Sequence, residues 1–118
     1  MKIPADGHLL RIFIGEQDKW QGLPLYEAIV SLARKELLAG ATVLKGCMGF
    51  GCKSHMHTAK ILRLSEDLPM IIEIVDSEEK IKAFLPHLDE MVSEGLITLE
   101  KIGVIMYRAN PAVKEGRS

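Results

Sequence analysis

Residues 40–64 read GATVLKGCMGFGCKSHMHTAKILRL. The stretch opens on Ala41-Thr42-Val43-Leu44, passes through Gly46-Cys47-Met48-Gly49-Phe50-Gly51, and closes on Ile61-Leu62-Arg63-Leu64. Two short apolar runs around a polar, glycine-rich middle predict two strands joined by a long loop. As a central hairpin it divides the chain into two halves of the same plan, and that division decides the fold.

Outward toward the N-terminus, residues 8–14 (HLLRIFI) predict a strand that Gly15 ends. Gly15–Gly22 reads as a polar loop carrying the only tryptophan, Trp20. Pro24 sits where a first helical residue would, because its missing N–H costs nothing there. Tyr26, Ile29, Val30, Ala33 and Leu37 then form a helical stripe, which Gly40 is expected to end in a left-handed conformation. Outward toward the C-terminus, Met70–Val75 (MIIEIV) predicts a strand. Asp76 is the expected N-cap, with Glu79 in capping-box position. Ile81, Phe84, Leu85, Leu88, Met91 and Val92 make the second stripe, kinked or locally broken at Pro86 and closed by Gly95. Residues 97–107 (ITLEKIGVIMY) are the last strand, and 108–118 a polar tail. Strand–helix–strand twice over predicts an α+β, ferredoxin-like βαββαβ sandwich: a four-stranded antiparallel sheet with two helices on one face and a long loop after the second main strand.

A sheet covered on one face should alternate apolar and polar residues. Leu9-Leu10 with Ile12-Phe13-Ile14, Met70-Ile71-Ile72 and Val104-Ile105-Met106 are apolar on both faces. Patches of that size mark interfaces, so the second face is expected to be buried against other copies of the chain.

The totals narrow the function classes. At 118 residues the chain is expected to form one domain, with its core at about 8–107. A net charge of −1 supplies no electrostatic footprint for nucleic acid. Two cysteines are too few for a disulfide framework. The first residues lack the pattern of a signal peptide, and no apolar run approaches the ~20 residues of a membrane span. A cytoplasmic protein is the expectation.

The loop holds the candidate chemistry. Gly46, Gly49 and Gly51 free the backbone to turn its N–H groups toward an anion. No helix follows at once, so the usual phosphate-loop contexts are not met. Cys47, Cys52, His55 and His57 fall within eleven residues, and thiolate with imidazole is what zinc or copper prefers. Their Cys-x4-Cys-x2-His-x-His spacing departs from the standard fingers, which leaves a metal- or redox-responsive module as the alternative reading. No third group is evident to orient Cys52 and a histidine for nucleophilic catalysis, so the chain is not expected to be an enzyme.

The strand and helix order is matched by a set of words: Pro24-Leu25-Tyr26-Glu27-Ala28-Ile29, Gly40-Ala41-Thr42-Val43-Leu44, Gly49-Phe50-Gly51, Leu64-Ser65-Glu66-Asp67-Leu68-Pro69, Ile74-Val75-Asp76 and Gly95-Leu96-Ile97-Thr98. With them the chain resembles PII-type signalling proteins, and more closely the PII-like branch known as domain-of-unknown-function family 190, over about residues 8–107. The resemblance implies a homotrimer that binds an adenine nucleotide (ADP, ATP or AMP) in clefts between subunits. It implies signalling through the 46–60 loop to a membrane transporter, a channel or an enzyme. Carried onto this sequence, the ligand positions are Gly46, Gly49, Phe50, Gly51, Val75, Asp76, Gly95, Thr98 and Lys101, with Lys45, Lys53 or Lys101 supplying charge to the phosphates. The turn before the last strand departs from the PII pattern. It has one glycine, and Glu94 and Glu100 are expected to repel phosphate. The loop has no tyrosine to be uridylylated.

Overall fold

A computed structural model describes residues 6–50 and 67–109. The elements run β1 (Asp6–Gly15), β2 (Lys19–Trp20), β3 (Leu23–Pro24), α1 (Leu25–Lys35), β4 (Thr42–Lys45), β5 (Pro69–Asp76), α2 (Glu78–Met91) and β6 (Leu96–Gly103). The main sheet has the order β4-β5-β1-β6, with every neighbouring pair antiparallel. This is the ferredoxin-like arrangement, with β1 and β5 at the centre.

Alternation along the two central strands builds the core. Leu10, Ile12 and Ile14 of β1 stand opposite Ile74, Ile72 and Met70 of β5, and all six are buried. Side chains two apart share a sheet face, and this face takes both helices. Leu25, Ala28, Ile29 and Ala33 of α1 pack there with Ile81, Phe84, Leu88 and Met91 of α2. The second stripe therefore buries as its periodicity requires, with Leu85 and Val92 half-buried at its flanks.

Several local expectations are corrected. Pro24 is the N-cap of α1 and not its first helical residue. The helix ends before Gly40: Leu37 takes the left-handed conformation at φ 64°, and it is 64% exposed while Leu38 turns inward. Ser77, not Asp76, caps α2, its hydroxyl accepting from the Lys80 N–H at 3.3 Å. The helix is continuous through Pro86. The last strand stops at Gly103, and residues 104–109 leave the sheet. The loop around Trp20 is a miniature hairpin, β2–β3, whose turn residues Gln21 and Gly22 both have positive φ, as a tight hairpin turn demands. The strand expected at 61–64 and the tail from 110 onward lie outside the described residues.

Among the described residues, the other sheet face carries no helix. A continuous apolar row crosses all four strands there, Leu44–Ile71–Phe13–Leu96. Leu44 and Leu96 at its ends are 45% and 57% exposed. One step along the strands lies the row Thr42–Glu73–Arg11–Thr98, in which the Arg11 guanidinium donates to Glu73 and Glu100, both at 2.9 Å.

Phe84 is the largest fully buried side chain, so Phe84→Ala removes its contacts and leaves a cavity. Urea unfolding should show a loss of about 3–5 kcal/mol. A loss below 1 kcal/mol would mean that α2 does not pack on the sheet as described.

Candidate functional site

The root of the loop is built from β4, the start of β5 and the turn after β1. Gly46 N–H donates to the Pro69 carbonyl at 2.7 Å. A Cβ on Gly46 would lie 2.6 Å from Pro69 Cγ, and one on Gly49 would lie 3.0 Å from the same atom. Gly46 is therefore required by close approach to a proline ring, and a side chain at Gly49 would crowd the same ring. The turn after β1 locks onto the other side: Glu16 N–H donates to the Leu68 carbonyl at 2.8 Å, and Gln17 N–H to Asp67 Oδ1 at 3.0 Å. Asp18 Oδ2 accepts from Gly15 N–H at 2.9 Å. Lys45, at the last position of β4, pairs with Glu16 at 2.9 Å. Phe50 is exposed beside this root, and Gly51 lies outside the described residues.

Asp76 occupies the far end of β5. Its carboxylate is buried and both oxygens are used, Oδ2 by Ala39 N–H at 2.8 Å and Oδ1 by Ser77 N–H at 2.7 Å. It ties the α1–β4 connection to the start of α2, a structural bond that the sequence reading assigned to capping and to ligand contact. Lys80 Nζ supports the same connection by donating to the Leu37 carbonyl at 2.7 Å. Facing Asp76 across β1 is His8, whose Nδ1 is buried with no hydrogen-bond partner, and beyond it Lys101 on β6. The Lys82 hydrogen bond and charge hold the Glu78 carboxyl below its ordinary value, and the charges of His8 and Lys101 act the same way. Basic groups therefore gather at this end of the sheet.

Gly95 precedes β6, and a Cβ there would meet the Phe13 carbonyl oxygen at 2.7 Å. Thr98 lies mid-strand opposite Arg11, on the open face. Glu100 shares that face and is engaged by Arg11, whereas Lys101 projects to the opposite side. Glu100 and Lys101 are thereby on opposite faces of the sheet. The Arg11 guanidinium is held in its charged form chiefly by the hydrogen bond it donates to Glu73.

The structure thus divides the expected ligand positions. Gly46, Gly49, Phe50 and Gly95 lie at one end of the sheet, and Val75, Asp76 and Lys101 at the other. From the level of Lys45, opposite Met70, to that of Asp76 is six residues of β5, about 20 Å at the rise of a strand. One copy of the chain does not bring the two groups together. Of the metal-ligand set, Cys47 is exposed and free, while Cys52, His55 and His57 fall outside the described residues. Among the described residues there is no cluster of three or more metal-ligating side chains. No helix among them is long and apolar enough to cross a membrane.

Sequence reasoning missed the clamp made by Asp18, Asp67 and Pro69. Its available signal was an aspartate three residues after Gly15, a turn pattern. It also missed the buried His8 Nδ1, because only the register places His8 between Asp76 and Lys101.

Comparison with known proteins follows from this geometry. The profile of the family DUF190, described as "Uncharacterized ACR, COG1993", matches residues 7–104. A UPF0166 protein of Aquifex aeolicus is 40% identical over 97 residues, covering 82% of this chain and 91% of the relative. A UPF0166 protein of Methanocaldococcus jannaschii is 41% identical over 92 residues, covering 77% and 84%. Among solved structures, CPII from Thiomonas intermedia K12 bound to ADP and bicarbonate matches with a TM-score of 0.53 at 18% identity, over 84% of this chain and 88% of that one. CPII from the same organism bound to ADP, AMP and acetate matches with a TM-score of 0.52 at 18% identity, over 91% and 92%. At such identity the structural likeness carries the fold.

If Asp76 is a strut, Asp76→Ala should cost the ligand-free protein about 2–4 kcal/mol in urea unfolding, because two N–H groups lose a charged acceptor. Unchanged stability would return Asp76 to the role of a ligand contact.

Proposed function

Since the chain belongs to the DUF190 family and shares its fold with CPII, we propose that it is a non-enzymatic, cytoplasmic, PII-like regulator that binds an adenine nucleotide between subunits of a homotrimer. The observation that carries this reading is the division of the expected ligand positions between two ends of a sheet whose second face, uncovered among the described residues, is apolar. Association through that face removes the Leu44–Ile71–Phe13–Leu96 row from water. It also allows the loop root of one subunit to approach the Val75–Lys101 end of another.

In this arrangement the nucleotide is held by residues of two chains. At the loop root, the Gly46 N–H is taken by the Pro69 carbonyl, so Gly49 to Gly51 would supply backbone N–H groups and Lys45 a cation. The second chain would supply Lys101 as a point charge for the phosphates. Lys45 is paired with Glu16 in the ligand-free chain, so phosphate would have to compete with that carboxylate. The structures of CPII bound to ADP, and to ADP with AMP, support an adenine nucleotide as the class of ligand. Residues 46–60 would report occupancy to a partner, a transporter, a channel or an enzyme, because their root is part of the cleft.

Calorimetry with ADP, ATP and AMP should give saturable binding of at least one of them, weakened about tenfold in Lys101→Ala. Light scattering should give the mass of three chains. Absence of binding to all three at millimolar concentration, or a monomeric mass, would contradict the reading. Gly49→Val is a poor probe of the site, because its side chain would strike Pro69 whether or not a ligand binds there.

A further inference from the structure

On the helix layer, across the sheet from the open face, lies a cavity of about 330 Å³ between the β2–β3 hairpin, α1 and the last turns of α2. Its floor is apolar: Trp20 and Leu23 of the hairpin, Leu32 of α1 and Met91 of α2. Leu23 is left 54% exposed. The hairpin that presents it is a built element. Its turn is held by two positive-φ residues, and Leu25 N–H closes its base on the Asp18 carbonyl at 2.8 Å. Lys35 and Glu90 stand exposed among the lining residues, and neither has an ion-pair partner among the described residues. His87, which also lines the cavity, is occupied by Glu36 at 3.8 Å and by the Phe84 ring.

An apolar floor with one free cation and one free anion at its edge has the complement of an amphipathic zwitterion. We propose that this cavity binds a free α-amino acid with an apolar side chain. The side chain lies on Trp20, Leu23, Leu32 and Met91, Lys35 takes the carboxylate and Glu90 the ammonium group. The volume is at the small end of the range for ligand pockets, about 300–1,000 Å³, which suits a single small metabolite. A simple carboxylate would leave Glu90 facing its apolar end, and a simple amine would leave Lys35 without a partner. The site goes beyond the nucleotide reading and shares no residue with it. Because it lies on the helix layer, it stays accessible when sheet faces associate.

Trp20 is the only tryptophan in the chain, so its fluorescence reports this cavity directly. L-leucine, L-methionine and L-phenylalanine should each change its emission saturably in nucleotide-free protein. Lys35→Met and Glu90→Gln, both at exposed positions, should each weaken the binding about fivefold, and Leu23→Ser should weaken it through the floor. Circular dichroism would establish that the variants are folded. Isocaproate and isoamylamine, which are leucine without its amino group and without its carboxylate, should bind more weakly than leucine. The proposal is overturned if none of the amino acids gives a saturable change, if the folded charge variants bind as tightly as the native chain, or if either leucine fragment matches leucine itself.

Discussion

A four-stranded sheet has two faces, and two helices cover only one of them. In this chain both faces of the central strands are apolar, and most other features follow from that mismatch. Leu10, Ile12 and Ile14 with Ile74, Ile72 and Met70 are removed from water by α1 and α2. The row Leu44–Ile71–Phe13–Leu96 has no such cover among the described residues. Burial of apolar surface is the dominant favourable contribution to association, so a face of this kind favours contact with a second sheet. The Glu73–Arg11–Glu100 triad beside the apolar row gives that face polar content. In the proposed assembly it would also give the contact a register, since a desolvated charge needs its partners in place.

The fold was legible where periodicity is strong. The apolar, β-branched runs 8–14 and 70–75 and the stripe from Ile81 to Met91 located the two central strands and α2, and the order of elements then gave the ferredoxin-like arrangement. Boundaries were less legible, because the residues that set them respond to tertiary contacts. Gly40 looked like the helix stop, yet Leu37 takes the left-handed position, where Lys80 engages its carbonyl. Asp76 resembled a helix cap, but a partner 37 residues earlier in sequence, Ala39, claims one of its oxygens. The apolar run to Tyr107 suggested a longer strand than the one that forms, which ends at Gly103, the partner of Asp6.

Residues that fitted a ligand pattern prove to have mechanical reasons as well. Gly46 and Gly49 accommodate Pro69, Gly95 accommodates the Phe13 carbonyl, and Asp76 joins two connections. Apart from the Ser77 N–H bond to Asp76, these contacts join residues far apart in sequence, so sequence spacing carries no sign of them. Sequence suggested a set of positions for the proposed cleft. What it concealed was their separation by about 20 Å along the strands, which follows only from the register. In the proposed assembly that separation makes the nucleotide site a property of a pair of subunits. Ligand occupancy and subunit contact are then thermodynamically linked.

The most direct test of the shared site is complementation between two defective chains. Lys45→Glu damages the loop-root half of the proposed cleft and Lys101→Glu the opposite half, so neither variant alone should bind ADP. Unfolded and refolded together, they should form mixed oligomers in which some clefts combine two intact halves, and ADP binding should return at a fraction of the native stoichiometry. If the mixture binds no more ADP than the separate variants, although mixed oligomers have formed, the site lies within one chain and the account is wrong.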